Sequence, residues 1–214
     1  MWPLRINNMN FFVVNNDLFD DADYAFGEDY GEQIFASGIR CVVCGSALTS
    51  KRWLPPMRVC VSKTRLGDAI FGTYPDFLIS KRFRQALKDA DLRGISDFTP
   101  VLLHYRGNSL TDEAYFFPTV TLSNARIDLS ASRFIFDSGD SCPACQKGHR
   151  TIKGYDGIVF ENPNNIELDI FHTKVLGETP IVSERFRDVV RRHEISNISL
   201  IPVDEYRRVN TSKN

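Results

Sequence analysis

The chain has 214 residues, of which 43% are hydrophobic and 25% charged, and its formal net charge is −1 at pH 7. This composition is typical of a globular protein with a hydrophobic core and excludes a disordered or membrane-spanning chain. A net charge so close to zero gives no bulk attraction for nucleic acid or for an anionic membrane.

The first forty residues predict a strand followed by an acidic segment. The strand is centred on residues 11–14, an apolar run too short for a signal peptide or a membrane-spanning helix, so we expect a cytoplasmic protein. Residues 17–32 hold seven acidic and four aromatic side chains but no Lys or Arg. They form either a solvated loop or a binding surface for a basic partner. The candidate partner-binding residues are Asp20, Asp21, Asp23, Tyr24, Glu28, Asp29 and Tyr30.

Two Cys-x-x-Cys motifs follow, and we call each of them a knuckle. The first is Cys41-Val42-Val43-Cys44 and the second is Cys142-Pro143-Ala144-Cys145. A knuckle is a tight loop that points two thiolates at one metal ion, and in a reducing cytosol such pairs favour metal ligands over disulfides. The fifth cysteine, Cys60, lies in a strand-like run, where we expect a small buried hydrophobic side chain.

A matching segment follows each knuckle. Residues 80–84 read Ser-Lys-Arg-Phe-Arg and residues 183–187 read Ser-Glu-Arg-Phe-Arg, 103 residues later, while the knuckles are 101 residues apart. Each serine is a candidate N-cap, because apolar residues recur after it at helical spacing. We expect a left-handed residue to end each helix, Gly94 in one case and Asn197 in the other, before a closing strand.

The sequence therefore predicts an α+β fold made from an internally duplicated unit of knuckle, strands, helix and strand. Two such units that meet about a pseudo-two-fold axis would bring their knuckles face to face and share one structural zinc site. The single domain, residues 1–214, then consists of an N-terminal strand and acidic segment (1–40), a first repeat (about 41–105), two linking strands (115–122 and 127–136) and a second repeat (about 142–206).

Four cysteine thiolates would close the coordination shell of a zinc ion and leave no position for water. Such a site is structural rather than catalytic, and His149 would remain in an exposed loop. The predicted ligands are Cys41, Cys44, Cys142 and Cys145. The sequence also lacks the zinc-protease, nucleophile-elbow, phosphate-loop and dinucleotide motifs, so we expect a protein that is not an enzyme.

Several short motifs together resemble the double-CxxCG-motif immunity proteins, which are bacterial antidotes encoded beside the polymorphic toxins that they neutralise. The similar segments are Cys41-Val42-Val43-Cys44-Gly45, Trp53-Leu54-Pro55-Pro56, Gly67-Asp68 and Ser183-Glu184-Arg185-Phe186. The resemblance covers roughly residues 41–203. It implies a cytoplasmic protein that binds a cognate toxin, with zinc as an internal staple. One departure is Gln146, which follows Cys145 where the family pattern has Gly.

Two other hypotheses remain open. A zinc-knuckle regulator that binds nucleic acid would need a basic stripe near the knuckles, although the near-neutral total charge argues against it. The flanking basic residues are Arg40, Lys51, Arg52, Lys147, Arg150 and Lys153. An enzyme with a dispersed site is the third hypothesis. If the partner is instead a nuclease toxin, its phosphate-binding cleft is basic and could take the acidic segment.

Overall fold

A computed structural model describes residues 10–15, 23–49, 51–73, 77–111 and 114–208, which form a mostly β structure with two helices. The α+β prediction is therefore confirmed. The helices are α1 (Lys81–Asp89) and α2 (Glu184–Arg192). The strands are β1 (Phe11–Asn15), β2 (Gly27–Asp29), β3 (Ile34–Ser37), β4 (Lys51–Leu54), β5 (Met57–Val61), β6 (Ala69–Ile70), β7 (Leu78–Ser80), β8 (Ile95–Tyr105), β9 (Asn108–Ser109), β10 (Tyr115–Val120), β11 (Ile135–Phe136), β12 (Ile152–Asp156), β13 (Ile170–Thr173), β14 (Gly177–Ser183), β15 (Ser199–Pro202) and β16 (Arg207–Arg208).

The described strands are arranged in four sheets. The largest has seven strands in the order β2-β5-β8-β10-β7-β6, with β9 beside β8. A four-stranded sheet has the order β13-β14-β1-β15, and a three-stranded sheet has the order β11-β12-β16. The strands β3 and β4 form a separate two-stranded ribbon. Of the described pairs, β5 and β8 run parallel and the others antiparallel.

One strand prediction is wrong. Of the predicted strand at residues 127–136, only β11 at its end is a strand. The Asp128 carboxylate accepts hydrogen bonds from the amides of Ser130 and Ala131 at 3.0 and 2.9 Å, and Arg133 has a φ of +51°. The turn chemistry of an aspartate at this position overrides the apolar alternation around it.

Both predicted helices are present and begin as expected. The Ser80 hydroxyl accepts the amide of Phe83 at 3.1 Å, and the Ser183 hydroxyl accepts the amide of Phe186 at 3.3 Å. Phe83 and Phe186 are fully buried, and their ring centroids are 5.9 Å apart, edge to face, so the helices pack through matching residues. No helix in the described part of the chain is long and apolar enough to cross a membrane.

The predicted ends of the two helices are wrong: each helix ends at a left-handed residue three positions before the predicted one. The left-handed residues directly after the helices are Asp91, with a φ of +48°, and Glu194, with a φ of +46°. The next amides, Leu92 and Ile195, donate five residues back to the carbonyls of Leu87 and Val190, as in a Schellman motif. Gly94 and Asn197 also have positive φ, but they belong to the following turn.

A buried carboxylate, Asp68, joins the start of α1 to the end of α2. It accepts hydrogen bonds from the Ser80 hydroxyl at 2.7 Å, from the Ser196 amide at 2.9 Å and from the Arg82 guanidinium. Burial acts to raise the pKa of Asp68, but these donors, Arg82 foremost, outweigh it and hold the pKa below its ordinary value. The Arg82 guanidinium also donates to the carbonyl of His193 at 2.6 Å.

Asp169 makes the same set of contacts with the roles of the helices exchanged. It accepts hydrogen bonds from the Ser183 hydroxyl at 2.7 Å, the Arg185 guanidinium at 2.9 Å and the Arg93 amide at 3.0 Å. The Arg185 guanidinium also donates to the carbonyl of Ala90 at 3.0 Å. We call these two arrangements the Asp–Ser–Arg clamps. Each clamp ties the N-terminus of one helix to the turn that follows the other helix.

Candidate metal centre

The two knuckles are built by the same turn on different sheets. The first lies between β3 and β4, and the second lies between β11 and β12. The Gly45 amide donates to the Cys41 carbonyl at 2.8 Å, and the Gln146 amide donates to the Cys142 carbonyl at 2.7 Å. These equivalent hydrogen bonds close both loops in the same way.

The four predicted thiols come together at one point. The Sγ atoms of Cys41 and Cys142 are 3.9 Å apart, and those of Cys44 and Cys145 are 3.8 Å apart. All four Sγ atoms lie within 4.8 Å of one another. In a tetrahedral zinc site with Zn–S bonds of about 2.3 Å, neighbouring sulfurs are ~3.8 Å apart. The cluster therefore has dimensions that could hold a metal ion.

The thiols lie in a small core of their own. Cys41, Cys142 and Cys145 are buried, Cys44 is half-buried, and Leu48 packs against them. The Ser46 hydroxyl is 3.1 Å from the Cys44 Sγ and 3.6 Å from the Cys145 Sγ. The sequence analysis did not predict a role for Ser46. Its position two residues after Cys44 could have indicated a side chain close to the thiols.

Hydrogen bonds favour the metal-binding form of two of these thiols. The Ser46 hydroxyl, and after it the Ser46 amide, lower the pKa of Cys44 to about 6. Burial acts to raise the pKa of Cys145, but the Gly148 amide, which donates to its Sγ at 3.2 Å, and the Ser46 hydroxyl together lower it. Neighbouring thiolates repel one another, so a cation between them would stabilise the cluster.

In the second knuckle, Gln146 takes the position that Gly45 has in the first knuckle. Its φ is +63°, close to the +75° of Gly45, so it occupies the same left-handed position. The Gln146 side chain is buried, donates to the carbonyl of Ile127 at 2.7 Å and accepts its amide at 3.1 Å. It also donates to Glu161 at 3.2 Å. These bonds offset the strain of a non-glycine residue in this conformation.

The arrangement suits a structural metal. Four thiol ligands fill a tetrahedral shell, and such a closed site offers no position for a substrate or a reactive water. His149, which could have replaced a cysteine, is exposed. The chemistry available here is therefore to bind a metal and to hold the two knuckles together.

The structure places five of the seven predicted partner-binding residues, while Asp20 and Asp21 lie outside the described residues. Asp23 is 3.5 Å from the Arg65 guanidinium, which also lies over the Tyr24 ring at 5.0 Å. Glu28 and Asp29 are exposed on the edge strand β2, where partial desolvation raises the pKa of Asp29. The remaining residue, Tyr30, is half-buried.

The seven-stranded sheet has an open half-face beside these acidic residues. Helix α1 covers the β10 end of this face, where the Arg84 guanidinium lies over the Phe116 ring at 4.3 Å. On the neighbouring strand β8, Leu102 is 52% exposed. The Tyr30 ring stacks on the ring of His104, also on β8, with the ring centroids 4.4 Å apart. Cys60 pairs with His104 in the register and is half-buried rather than a core residue, so that prediction is wrong.

Comparison with known protein families gives a match. A family model described as an immunity protein family, Imm11, matches residues 55–205, which is more than two thirds of the chain. The matched range contains both Asp–Ser–Arg clamps and the second knuckle, but it begins after the first knuckle. No curated protein matches the chain closely enough to count as a relative.

Proposed function

The chain belongs to the Imm11 immunity protein family, and from this membership we propose that it neutralises a cognate toxin by binding to it rather than by catalysis. The family match carries the proposal, because it spans both helices and most strands of the three larger sheets. We place the action in the cytoplasm, where a reducing environment keeps four cysteines available as ligands.

We propose that the bound metal is zinc and that its role is structural. Thiolate is a ligand that zinc favours, and the sulfur separations of 3.8 and 3.9 Å fit its tetrahedral geometry. Cys41, Cys44, Cys142 and Cys145 would hold the ion between the ribbon that carries the first knuckle and the sheet that carries the second. Zinc would then staple together two parts of the chain that are separated by about a hundred residues.

We propose further that the single domain of residues 1–214 arose by duplication, with units of about 41–105 and 142–206. The support comes from matched detail. Each unit has a knuckle closed by the same hydrogen bond, a capping serine, a buried phenylalanine and a helix end of the same type. The clamps of Asp68 and Asp169 lie 101 residues apart, the same offset as the knuckles.

We propose that the toxin is contacted by the acidic residues and tyrosines of residues 20–30. Glu28 pairs with Cys60 and Tyr30 stacks on His104, on the half-face of the large sheet where Leu102 is exposed. Glu28 and Asp29 form no ion pair with a described residue, so their charge is available to a basic surface. The basic phosphate-binding cleft of a nuclease toxin has the complementary charge.

The experiment is to measure binding of the purified protein to a catalytically inactive form of the toxin encoded by the neighbouring reading frame. Neutralising Asp20, Asp21 and Asp23 to Asn should lower the association rate and its salt dependence. Tyr24→Ala should raise the dissociation rate, because packed aromatic residues hold a complex together.

The matched control removes three acids elsewhere, with Asp97→Asn, Asp204→Asn and Glu205→Gln. If the parent protein does not bind the toxin, the proposed function is wrong. If the two segment variants bind like the parent and still protect cells, the acidic segment is not the interface.

The nucleic-acid hypothesis receives less support from the knuckle surroundings. Of the flanking basic residues, Arg150 lies over the Phe136 ring at 4.0 Å and donates to the carbonyl of Gln146. Lys153 is 3.7 Å from the Asp137 carboxylate. These internal contacts reduce the charge that a phosphate backbone could use.

A further inference from the structure

The first knuckle exposes apolar side chains to an unusual degree. Among the described residues, six large hydrophobic side chains are exposed, and four of them lie between positions 34 and 43. Val42 is 100% exposed and Val43 is 65% exposed, at the tip of the loop, while Ile39 beside them is 51% exposed. A cluster of this kind on a protein surface commonly marks an interaction site.

The valines are not required by the turn. The second knuckle makes the same turn, with the equivalent hydrogen bond, and carries Pro143 and Ala144 between its cysteines. A β-branched apolar residue that is fully in water adds nothing to the core. Val42 and Val43 therefore have no role in the fold that the structure displays.

Cations lie in the same part of the chain as this tip. Arg40, Lys51 and Arg52 are exposed, and residues 36–52 contain no Asp or Glu. Arg40 and Arg52 form no ion pair with a described residue, and Arg40 donates a hydrogen bond to the carbonyl of Gly45 at 3.0 Å. The charge of this region is opposite to that of the acidic segment.

Two clefts flank the ribbon that carries the tip. One, of about 330 Å³, is lined in part by Phe35, Arg40 and Lys51. The other, of about 420 Å³, is lined in part by Ile39, Arg52 and Trp53. A protein interface commonly combines apolar residues, adjoining hollows and a charged rim.

We propose that this knuckle face, consisting of Ile39, Val42 and Val43 with Arg40, Lys51 and Arg52, is a second docking surface for the toxin. It fits a toxin surface that carries carboxylates around an apolar side chain. The inference rests on the proposed function and adds a contact separate from the acidic segment. The loop is closed by the hydrogen bond from the Gly45 amide to the Cys41 carbonyl, and its cysteines pack in a small buried cluster. Such internal contacts reduce the entropy lost on binding.

The features of the face favour a protein over other partners. Two valines and three cations give less membrane affinity than a single acyl chain, which by itself anchors a protein only marginally. The tip has no aromatic ring on which a nucleic-acid base could stack. The clefts beside it are suited to receiving side chains.

The test measures binding to the inactive toxin for two variants of the knuckle face. Val42→Ser with Val43→Ser should raise the Kd roughly 10- to 100-fold, mainly through faster dissociation. Arg40→Gln with Arg52→Gln should slow association several-fold and flatten its salt dependence. The controls are Ile135→Ser, another exposed apolar residue, and Arg191→Gln with Arg192→Gln, an equal change of charge. Metal content and Tm, measured on each variant, report whether the fold is intact.

Toxin binding by the folded tip variant within twofold of the parent overturns the inference and leaves the proposed function standing. Failure of the parent to bind the toxin overturns both. Two further results also contradict a toxin site. One is tip-dependent binding to phosphatidylglycerol vesicles with unchanged toxin affinity. The other is self-association in sedimentation that disappears in the tip variant with unchanged toxin affinity.

Discussion

At the scale of single residues, Gln146 shows how a side chain can offset an unfavourable backbone conformation. A glycine in its place would adopt the left-handed φ without strain but would leave the buried amide and carbonyl of Ile127 without partners. The sequence showed the missing glycine but not the compensation, because Ile127 is nineteen positions away and its predicted strand is wrong.

We therefore expect Gln146→Ala to destabilise the protein by about 2–3 kcal/mol, because it keeps the positive φ and loses the amide hydrogen bonds. Gln146→Gly should cost about 1 kcal/mol less than Gln146→Ala, because glycine relieves the backbone strain. Urea denaturation of the metal-loaded variants measures both values. Equal stability of the alanine variant and the parent would mean that the side-chain amide contributes nothing.

At the scale of elements, the helices were predictable because their signals are local. A serine cap, an apolar stripe and a left-handed end all lie within about fifteen residues of sequence. Local signals also misled: Gly94 was predicted to end α1, yet a Cβ there would lie 1.8 Å from the Ile170 carbonyl oxygen, so a glycine is needed for close packing against β13. Asp91, an aspartate that tolerates positive φ, ends the helix instead.

Each capping serine has two partners, and this sets the cost of losing it. Ser80→Ala and Ser183→Ala should each destabilise the protein by about 1–2 kcal/mol, because the helix loses its cap and an aspartate loses a donor. Ser80→Asn should recover part of the loss, since asparagine caps a helix and can also donate. Guanidinium denaturation compares the three variants, and an alanine variant within 0.3 kcal/mol of the parent, roughly the error of the method, would contradict the assignment.

At the scale of the whole molecule, the two clamps and the cysteine cluster join parts that are distant in sequence. Asp68 bonds Ser196 across 128 positions, and Cys41 meets Cys142 across 101. The pairing of the knuckles was predictable, since a metal site with four cysteine ligands needs both Cys-x-x-Cys motifs at one point. The clamps were not, because an isolated Gly67-Asp68 gives no sign of which residue will hold the carboxylate.

The metal should be essential to this arrangement. Cys142→Ser should reduce zinc from one ion per chain to nearly none and remove several kcal/mol of stability. Cys60→Ser, which changes a cysteine outside the cluster, should keep both zinc and Tm close to the parent values. Mass spectrometry measures the zinc content of each variant, and thermal melting measures its Tm. Full zinc content and an unchanged Tm in the Cys142→Ser protein would rule out the four-cysteine site.

The clamps join residues that are far apart in the chain, and this affects the order in which the protein folds as the ribosome makes it. When the first hundred residues have emerged, Asp68 has its serine and its arginine but lacks Ser196, and the first knuckle lacks its opposite pair. Loops this long are slow to close, and their contacts cannot form before the last strands leave the exit tunnel. Completion of the clamps and of the cysteine cluster is therefore a late event in folding, which has to wait for the segments that carry Ser196 and the second knuckle.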